Sequence, residues 1–402
     1  MSFENIINKT HCICGGKLGK QENFGNLPLI NDFHNKITSR YPTVLTSCVK
    51  CNLVQLKYSV LDKVIYRKNY AYLSGDSKEK IDDYENLINK IKSRFKFKKP
   101  SIIDIGGNDG SLLLAAKKQG FKTTNVEPTN VASISKKKGI KTLKKEFNLK
   151  FAKKLSVKNK YDFLVSTNFF AHTNNIKEII QGSRLILKQK GIIIIEVQYL
   201  YKVLNKNGFD SIHQDHRYYY TLNSIKKILK IFNLFIFDAE FLKSNEEILR
   251  VYAKKTHTKG TLRFNKILKK EEDKFIFSKI KKLNNYRKSY NYKIKKLIKN
   301  LKKNNKKICA IGAAPRGCML LSTSKFTKLE IDFVGEVSGS FKINKLMPGT
   351  NIPILNEKML IRKKPDFIII LAWHLKNRLT KILLKNGYKG KFIVPLPSLK
   401  IS

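Results

Sequence analysis

From residue 100 to about 255, short apolar runs of strand length alternate with segments whose apolar residues recur at helical spacing. Alternation of this kind predicts a parallel, doubly wound sheet with helices packed on its faces. The predicted strands are 101–105, 123–126, 161–166, 191–197, 232–238 and 248–254.

A second alternation begins at Lys307, after a long basic segment. Residues 258–305 place Lys and Asn around apolar positions at helical spacing, which predicts long helices with a solvated basic face. A smaller α/β domain is predicted by the runs that follow, KICAIGAAPRG, IDFVGEV, DFIIILAW and KFIVPLP. Residues 1–60 are turn-rich and hold two close cysteine pairs. We therefore expect three domains, at 1–75, 76–257 and 258–402.

The strongly positive net charge of the chain raises the question of whether it binds nucleic acid. The 402 residues include 81 Lys and Arg against 30 Asp and Glu, a formal net charge of +51. Such a charge suggests nucleic acid, but the lysines are spread among Asn and Ile and form no arginine-rich arm. We therefore do not expect nucleic acid as the main ligand. No apolar run approaches the roughly 20 residues that span a bilayer, and the first residues lack the apolar stretch of a secretory signal. We expect a cytoplasmic protein with no membrane partner.

The cysteine pairs predict a metal site. In a protein without an export signal, such pairs indicate metal binding more readily than disulfides. Cys48 and Cys51 form a C-x-x-C knuckle, whereas one residue separates Cys12 from Cys14, and His11 is an alternative ligand to Cys12. Four thiolates are the preferred set. The expected metal is a structural zinc, because four protein ligands leave no position open for water.

A glycine-rich turn follows the first strand of the larger sheet, in IIDIGGNDGSLL (102–113). Gly106, Gly107 and Gly110 let the backbone approach a ligand closely at the start of a helix. Glu127 ends the next strand, where a carboxylate can hold both ribose hydroxyls of a nucleoside. Dehydrogenases share such turns. The spacing D-I-G-G-N-D-G, with Asp109, instead resembles motif I of class I S-adenosylmethionine methyltransferases.

Further motifs extend this resemblance over nearly the whole chain. They are NLPLINDF (26–33), CNLVQL (51–56), YAYLSGDS (70–77), VEPTNVAS, NFFAHTNNI, EVQYL, FDSIHQDHRYYY (209–220), IGAAPRG (311–317), MPGTNIPI (347–354), KPDFIIILAWH (364–374) and FIVPLP (392–397). In this order they resemble the sugar-nucleotide C-methyltransferase family, whose members methylate a ring carbon of a nucleoside-diphosphate ketosugar. The resemblance implies a class I methyltransferase sheet between a small N-terminal zinc-binding domain and a C-terminal Rossmann-like α/β domain that binds the sugar nucleotide.

The resemblance also implies the binding residues. Those for S-adenosylmethionine are Asp104, Gly106, Gly107, Asn108, Asp109, Gly110, Glu127, Asn168 and His172. Those for the small-molecule substrate are Gly312, Ala313, Arg316, Tyr199 and Arg250. The turn IGAAPRG resembles a phosphate-cradling loop, since backbone N–H groups near Gly312 and Ala313, together with Arg316, suit a diphosphate.

Methyl transfer to carbon requires a carbanion, and a carbon next to a ketone is its accessible source. The enzyme then needs a base for the C–H proton and donors for the enolate oxygen. His216 is the preferred base because imidazole titrates near neutral pH. Asp215 is expected to orient His216 or to bind the sugar. The candidate donors around the ketone are Tyr70, Tyr72 and His213.

Two departures from the family pattern, together with the basic charge and the glycine turns, keep other hypotheses open. The family reads tyrosine-His-Glu-His where this chain has His213, Gln214, Asp215 and His216. The Gly-Gly-Ser that precedes Leu-Arg in the family is replaced by residues 246–248, Glu-Glu-Ile. The alternatives are a sugar-nucleotide-binding relative that is non-catalytic or methylates oxygen or nitrogen, a basic RNA-binding methyltransferase, and a dehydrogenase using the glycine turns.

Overall fold

The N-terminal part of the chain forms a small antiparallel sheet. A computed structural model describes residues 3–66 and 72–402. The elements of this part are β1 (Ile6–Asn8), β2 (Leu18–Pro28), β3 (Arg40–Cys48), β4 (Val54–Leu56), β5 (Tyr58–Val60) and α1 (Asp62–Ile65). The expectation of a turn-rich segment was incomplete, because residues 43–46 form a buried stretch in which Thr43, Val44 and Thr46 are β-branched and so suited to a strand.

The central part contains the predicted doubly wound sheet. Its helices are α2 (Lys78–Arg94), α3 (Ser111–Lys118), α4 (Ala132–Lys137), α5 (Leu149–Lys158), α6 (Ile176–Ile186), α7 (Leu200–Asn205) and α8 (Leu222–Ile231). Its strands are β6 (Ser101–Ile105), β7 (Lys122–Val126), β8 (Thr142–Leu143), β9 (Tyr161–Thr167), β10 (Leu187–Gln198), β11 (Tyr218–Tyr219), β12 (Phe235–Phe241) and β13 (Ile248–Lys254). Seven of them form a sheet in the order β12-β13-β10-β9-β6-β7-β8, with β13 antiparallel to both neighbours and the other pairs parallel.

The predicted strand at 232–238 begins later than expected. Helix α8 continues to Ile231, and Asn233 then takes a positive φ of 52° in the turn before β12. Asn tolerates this left-handed conformation better than most residues. The apolar residues Phe232 and Leu234 therefore belong to a turn packed on the core and not to the strand.

The C-terminal part contains the second predicted α/β sheet. Its helices are α9 (Leu262–Lys269), α10 (Ile276–Lys303), α11 (Pro315–Thr323), α12 (Lys358–Lys363) and α13 (Lys376–Lys385). Its strands are β14 (Ile308–Ile311), β15 (Val334–Glu336), β16 (Ile354–Asn356), β17 (Phe367–Ile370), β18 (Lys391–Val394) and β19 (Lys400–Ile401). The order is β16-β15-β14-β17-β18-β19, with only β19 antiparallel.

Helix α10 joins the C-terminal part to the N-terminal sheet. Its apolar positions lie on one buried face, and the intervening lysines give it the predicted basic exterior. The buried Asn284 side chain donates to the Asn23 carbonyl of β2 at 3.0 Å. Within the described ranges, no helix combines the length and apolar composition needed to cross a bilayer.

A two-residue strand connects the central and N-terminal parts. Strand β11 does not join the large sheet but pairs antiparallel with β4, so that Tyr218 faces Gln55 and Tyr219 faces Val54. The small sheet therefore has the order β11-β4-β3-β2. This pairing fixes the segment 213–217, which immediately precedes β11, against the N-terminal part.

Candidate active site

The glycine turn between β6 and α3 has the tight geometry that its sequence predicts. Gly106 has φ +71°, and a Cβ built on it would lie 2.7 Å from the Phe169 ring. Gly110 has φ +75°, and its Cβ would lie 2.4 Å from Ser135 Oγ. Only glycine fits such positions, so the backbone at the start of α3 stays accessible to a ligand.

Glu127 lies beside this turn, at the carboxyl end of β7. Its Oε2 accepts the Asn108 N–H at 3.0 Å, and its Oε1 accepts the Thr129 N–H at 2.9 Å. The side chain is buried, and each carboxylate oxygen keeps a further lone pair. The structure thus brings together the turn and the acid expected to bind ribose.

Asp109 is occupied by the protein itself. It accepts hydrogen bonds from the Ser74 hydroxyl at 2.7 Å, the Ser111 hydroxyl at 2.9 Å and the Lys138 ammonium at 2.8 Å. Burial raises its pKa, but these donors outweigh burial and hold the pKa below its usual value. Asp109 therefore secures the turn and fastens the segment around Ser74 above it.

Acidic groups line the floor beneath the turn. Asp104 is buried, and its pKa is raised well above the usual value, first by burial and then by Glu196, Glu127 and Asp109. Its Oδ1 has no hydrogen-bond partner among the described residues. S-adenosylmethionine carries a sulfonium and an ammonium, both of which favour an acidic pocket. The residues present therefore fit this cofactor.

The loop after β9 leads towards a second group of side chains. Asn168 takes φ 56°, and its N–H donates to the Glu196 carbonyl at 3.0 Å. His172, expected on the cofactor side, packs edge-to-face on His216 with ring centroids 4.9 Å apart. Burial, followed by the neighbouring His216, holds the pKa of His172 well below its usual value.

Residues 213–216 form a cluster of polar side chains. The His213 and His216 rings lie 4.2 Å apart between centroids, at 38° to each other. His213 Nδ1, Asp215 Oδ1 and His216 Nδ1 are buried atoms without a hydrogen-bond partner in the described part of the chain. Burial lowers the pKa of His216 to about 4 and raises that of Asp215 to about 6. Both imidazoles are therefore neutral at pH 7.

Asp215 does not make the contact expected of an orienting acid. Its Oδ2 accepts a hydrogen bond from Asn31 Nδ2 of the N-terminal part at 3.1 Å. Within the described ranges it has no hydrogen bond to His216, whose ring packs on those of His172 and His213. This arrangement favours the other expectation for Asp215, namely contact with the substrate.

The remaining predicted residues fall into three environments. Tyr70 lies outside the described residues. Tyr72 is half exposed, and its hydroxyl accepts a hydrogen bond from Lys80 Nζ at 2.9 Å. Tyr199 is buried against Phe241, with ring centroids 5.1 Å apart. Arg250 is buried in an ion pair with Glu196, at 2.7 Å between Nη2 and Oε1.

The C-terminal loop IGAAPRG borders the histidine cluster. Gly312 has φ +94°, and the Ala313 N–H donates to Glu336 Oε2 at 2.7 Å. Arg316 stacks on the Trp373 ring at 4.4 Å. Its charge lowers the pKa of both His213 and His216, although burial is the larger cause in each.

Arg316 already has acidic partners. Its Nε and Nη2 donate to Asp210 at 2.9 and 3.1 Å, and its Nη1 donates to Glu247 at 3.3 Å. Its role in holding a diphosphate stays a prediction, and a phosphate would have to share the guanidinium with these carboxylates.

The four N-terminal cysteines converge on one point. Their sulfur atoms all lie within 4.8 Å of one another, and all four side chains are buried. The backbone N–H groups of Lys50 and Cys51 point to Cys48 Sγ at 3.4 and 3.5 Å. His11 is exposed and bonds to Thr10, so Cys12 is favoured over His11 as the ligand. The set fits a tetrahedral metal site of four thiolates.

Three residues at the site, Glu196, Asn31 and Arg217, were not expected from the sequence. Glu196 carries a recognisable signal, since an acid at the end of an apolar run lies at the carboxyl edge of a parallel sheet. Asn31 and Arg217 carry none, because their partners are far away in the sequence.

Two family models match the chain: "Methyltransferase domain" over residues 76–236 and "C-methyltransferase C-terminal domain" over residues 248–397. The C-methyltransferase NovU of Streptomyces niveus is 23% identical over 399 residues, 97% of this chain and 91% of the relative. Among solved structures, an S-adenosylmethionine-dependent methyltransferase from Clostridium acetobutylicum ATCC 824 is 14% identical, covering 46% of this chain and 94% of that one, with a TM-score of 0.35. The PH0226 protein from Pyrococcus horikoshii OT3 is 16% identical, covering 48% and 98%, with a TM-score of 0.38.

We predict that Glu127→Ala weakens S-adenosylmethionine binding by about 1–3 kcal/mol, because ribose hydroxyls lose their acceptor. Isothermal titration calorimetry measures the change, with the exposed Glu146→Ala as the matched control. An unchanged dissociation constant in a folded Glu127→Ala protein would contradict the prediction.

Proposed function

The chain is an S-adenosylmethionine-dependent methyltransferase with a C-methyltransferase C-terminal domain, and we propose that it methylates a carbon beside the ketone of a nucleoside-diphosphate ketodeoxysugar. The supporting observation is the group of unpartnered buried atoms on His213, Asp215 and His216. Buried polar atoms in folded proteins nearly always have partners. Three without partners on one short segment indicate a polar ligand.

In the proposed reaction, His216 Nδ1 removes the proton from the carbon next to the ketone. His216 also makes a hydrogen bond with the Ser211 backbone, which favours a proton on the imidazole. Because Nδ1 has no hydrogen-bond partner in the described part of the chain, we assign this bond to Nε2, which leaves Nδ1 as the basic atom. The C–H electron pair becomes the enolate, whose carbon forms the new C–C bond. S-adenosylmethionine, when bound, would supply the electrophilic methyl group, and the electron pair of its broken S–CH3 bond would stay on sulfur, leaving S-adenosylhomocysteine. His213 Nδ1 and Asp215 Oδ1 are placed to contact the sugar.

An imidazole with a pKa of about 4 is a weak base for removing a proton from carbon. The positive charge near His216 indicates how its pKa could rise when the substrate binds. The cation of Arg316 contributes to lowering the pKa of His216. A diphosphate beside Arg316 would offset that charge. We therefore expect substrate binding to raise the pKa of His216, so that the base becomes stronger when the substrate is in place.

The IGAAPRG loop is the proposed diphosphate site. Two observations support it. Gly312 has a positive φ, and Arg316 contacts Asp210, which lies three residues before His213 in the sequence.

The methyltransferase matches remove the dehydrogenase hypothesis. The reaction is proposed for the cytoplasm, where cysteine thiols stay reduced and able to bind a metal.

We also propose that the cysteine cluster holds a structural zinc. Zinc is the usual metal of four-thiolate sites, and four protein ligands leave none of its positions for substrate. The knuckle between Cys48 and Cys51 connects β3 to β4, and β4 pairs with β11 next to His216. Metal binding would thus brace the strand on which the catalytic segment rests.

About one zinc per chain is expected, and Cys48→Ser should lose it and lower turnover more than it weakens S-adenosylmethionine binding. The reason is that the cluster supports β4 and not the glycine turn. Elemental analysis and calorimetry measure the two effects, and Cys309→Ser, outside the cluster, is the control. A Cys48→Ser protein with full turnover would count against this role.

His216→Asn should lower turnover roughly 10²–10⁴-fold, the usual contribution of a positioned base, while leaving cofactor binding intact. Solvent-deuterium exchange at the carbon beside the ketone, followed by NMR, should disappear in the same variant. The control is His257→Asn, which changes an exposed histidine packed on Phe235. Retained exchange and turnover would place the base elsewhere, and a methyl group on oxygen or nitrogen would refute the carbanion route.

The pH profile follows from the lowered pKa of His216. The base must be neutral, so activity is lost only as pH falls through the folded-state pKa of about 4. Because kcat/KM reports the free enzyme and kcat the complex, the acidic limb of kcat should lie at higher pH than that of kcat/KM. A kcat/KM limb near pH 6 that disappears in Asp215→Asn would assign the limb to Asp215 instead.

A further inference from the structure

Arg217, the residue after His216, is completely buried and joins three segments of the chain. Its Nη2 pairs with Asp62 Oδ1 of α1 at 2.6 Å and donates to the Val60 carbonyl of β5 at 3.2 Å. Its Nη1 donates to the His172 carbonyl at 2.5 Å. One guanidinium therefore connects the N-terminal part to the loop after β9.

The backbone of Arg217 makes two further links between the same segments. Its N–H donates to the Ala171 carbonyl at 2.8 Å, and its carbonyl accepts the Leu56 N–H of β4 at 2.9 Å. Asn174 strengthens the arrangement, since its Nδ2 donates to Asp62 Oδ1 at 2.8 Å. His172 and His216 are thus held together from both the side chain and the main chain of Arg217.

A buried cation at this position also acts on the imidazoles through its charge. The groups that face His216 are the rings of His172, His213 and Tyr219, together with the cations of Arg217 and Arg316. After burial, the positive charge of Arg217 contributes to lowering the pKa of both His172 and His216. Asp62 balances the charge of Arg217 through their ion pair.

We infer that Arg217 is a positioning residue: it aligns His172 with His216 across the junction of the N-terminal and central parts and keeps a positive charge beside both rings. This inference rests on the proposed role of His216 as the base. A lysine cannot replace these hydrogen bonds, because its ammonium lacks the planar fork of donors with which the guanidinium contacts Asp62 and the His172 carbonyl at once. An uncharged side chain loses the charge as well as the bonds.

The experiment compares R217K, which keeps the charge, with R217Q, which removes it. The readouts are kcat with a ketosugar nucleotide and the pH titration of the His216 Cε1–H resonance, assigned among the seven histidines with the His216→Asn variant. R378Q, at an exposed arginine, is the matched control. Circular dichroism and S-adenosylmethionine binding establish that each variant is folded.

R217K should lower kcat about 10²-fold, the typical effect of a misplaced catalytic group, and leave the His216 titration midpoint unchanged. R217Q should lower kcat at least as far and move the midpoint upward, towards the ordinary value near 6.5. R378Q should change neither. If R217Q does not fold, the kcat and the His216 titration midpoint of R217K decide the inference.

A folded R217K with kcat within about threefold of wild type overturns the positioning role. A folded R217Q with an unshifted His216 titration midpoint overturns the role of the charge, because an arginine with a purely structural role would leave that midpoint unchanged. The titration needs no substrate. If the wild type transfers no methyl group to a ketosugar nucleotide, the proposed function fails while the titration still tests Arg217.

Discussion

The segment 213–217, which holds the proposed base, depends on strand pairing with the N-terminal part of the chain. Strand β11 is the edge strand of the small N-terminal sheet, and Gln214 is tied to that sheet by a hydrogen bond from its Nε2 to the Pro42 carbonyl at 2.8 Å. The Val60 N–H donates to Gln214 Oε1 at 3.2 Å. The segment is thus bonded to β3 and β5, while β11 pairs with β4, and the cysteine knuckle at 48–51 connects β3 to β4. The proposed metal site would therefore affect catalysis through this support and without contributing a reacting group.

Charge is separated across the site in the way that its two expected ligands require. Asp104, Glu127 and Glu196 gather beneath the glycine turn, where a cationic cofactor is favoured. Arg217 and Arg316 lie on the side of the histidines, where an anionic diphosphate and a developing enolate are favoured. Both groups are partly balanced within the protein, since Glu196 pairs with Arg250, Arg217 with Asp62 and Arg316 with Asp210.

Local chemistry explains which features could be predicted from the sequence. The glycine turn, Glu127 and the C-x-x-C knuckle are short-range patterns, and all are found where the pattern places them. The contact of Asp215 with Asn31 spans 184 positions, and that of Arg217 with Asp62 spans 155. No periodicity encodes such pairs. The N-terminal sheet was missed for a related reason, since its long strands β2 and β3 pair with irregular register and its strand β4 pairs with β11, which is far away in the sequence.

The two departures from the family pattern lie on the same side of the site. His213 replaces a tyrosine in the cluster, and its pKa is lowered by the charge of Arg316 after burial and the two other histidines. Glu247 replaces a small residue and accepts hydrogen bonds from Arg316 at 3.3 Å and from Lys206 at 3.2 Å. Both changes therefore alter the surroundings of Arg316, whereas the glycine turn and Glu127 keep the expected arrangement. A carboxylate beside Arg316 competes with phosphate for the same guanidinium. The two departures thus lie on the side proposed to bind the substrate, whereas the proposed cofactor side keeps the arrangement expected from the sequence, so the departures bear on the proposed acceptor and not on the methyl donor.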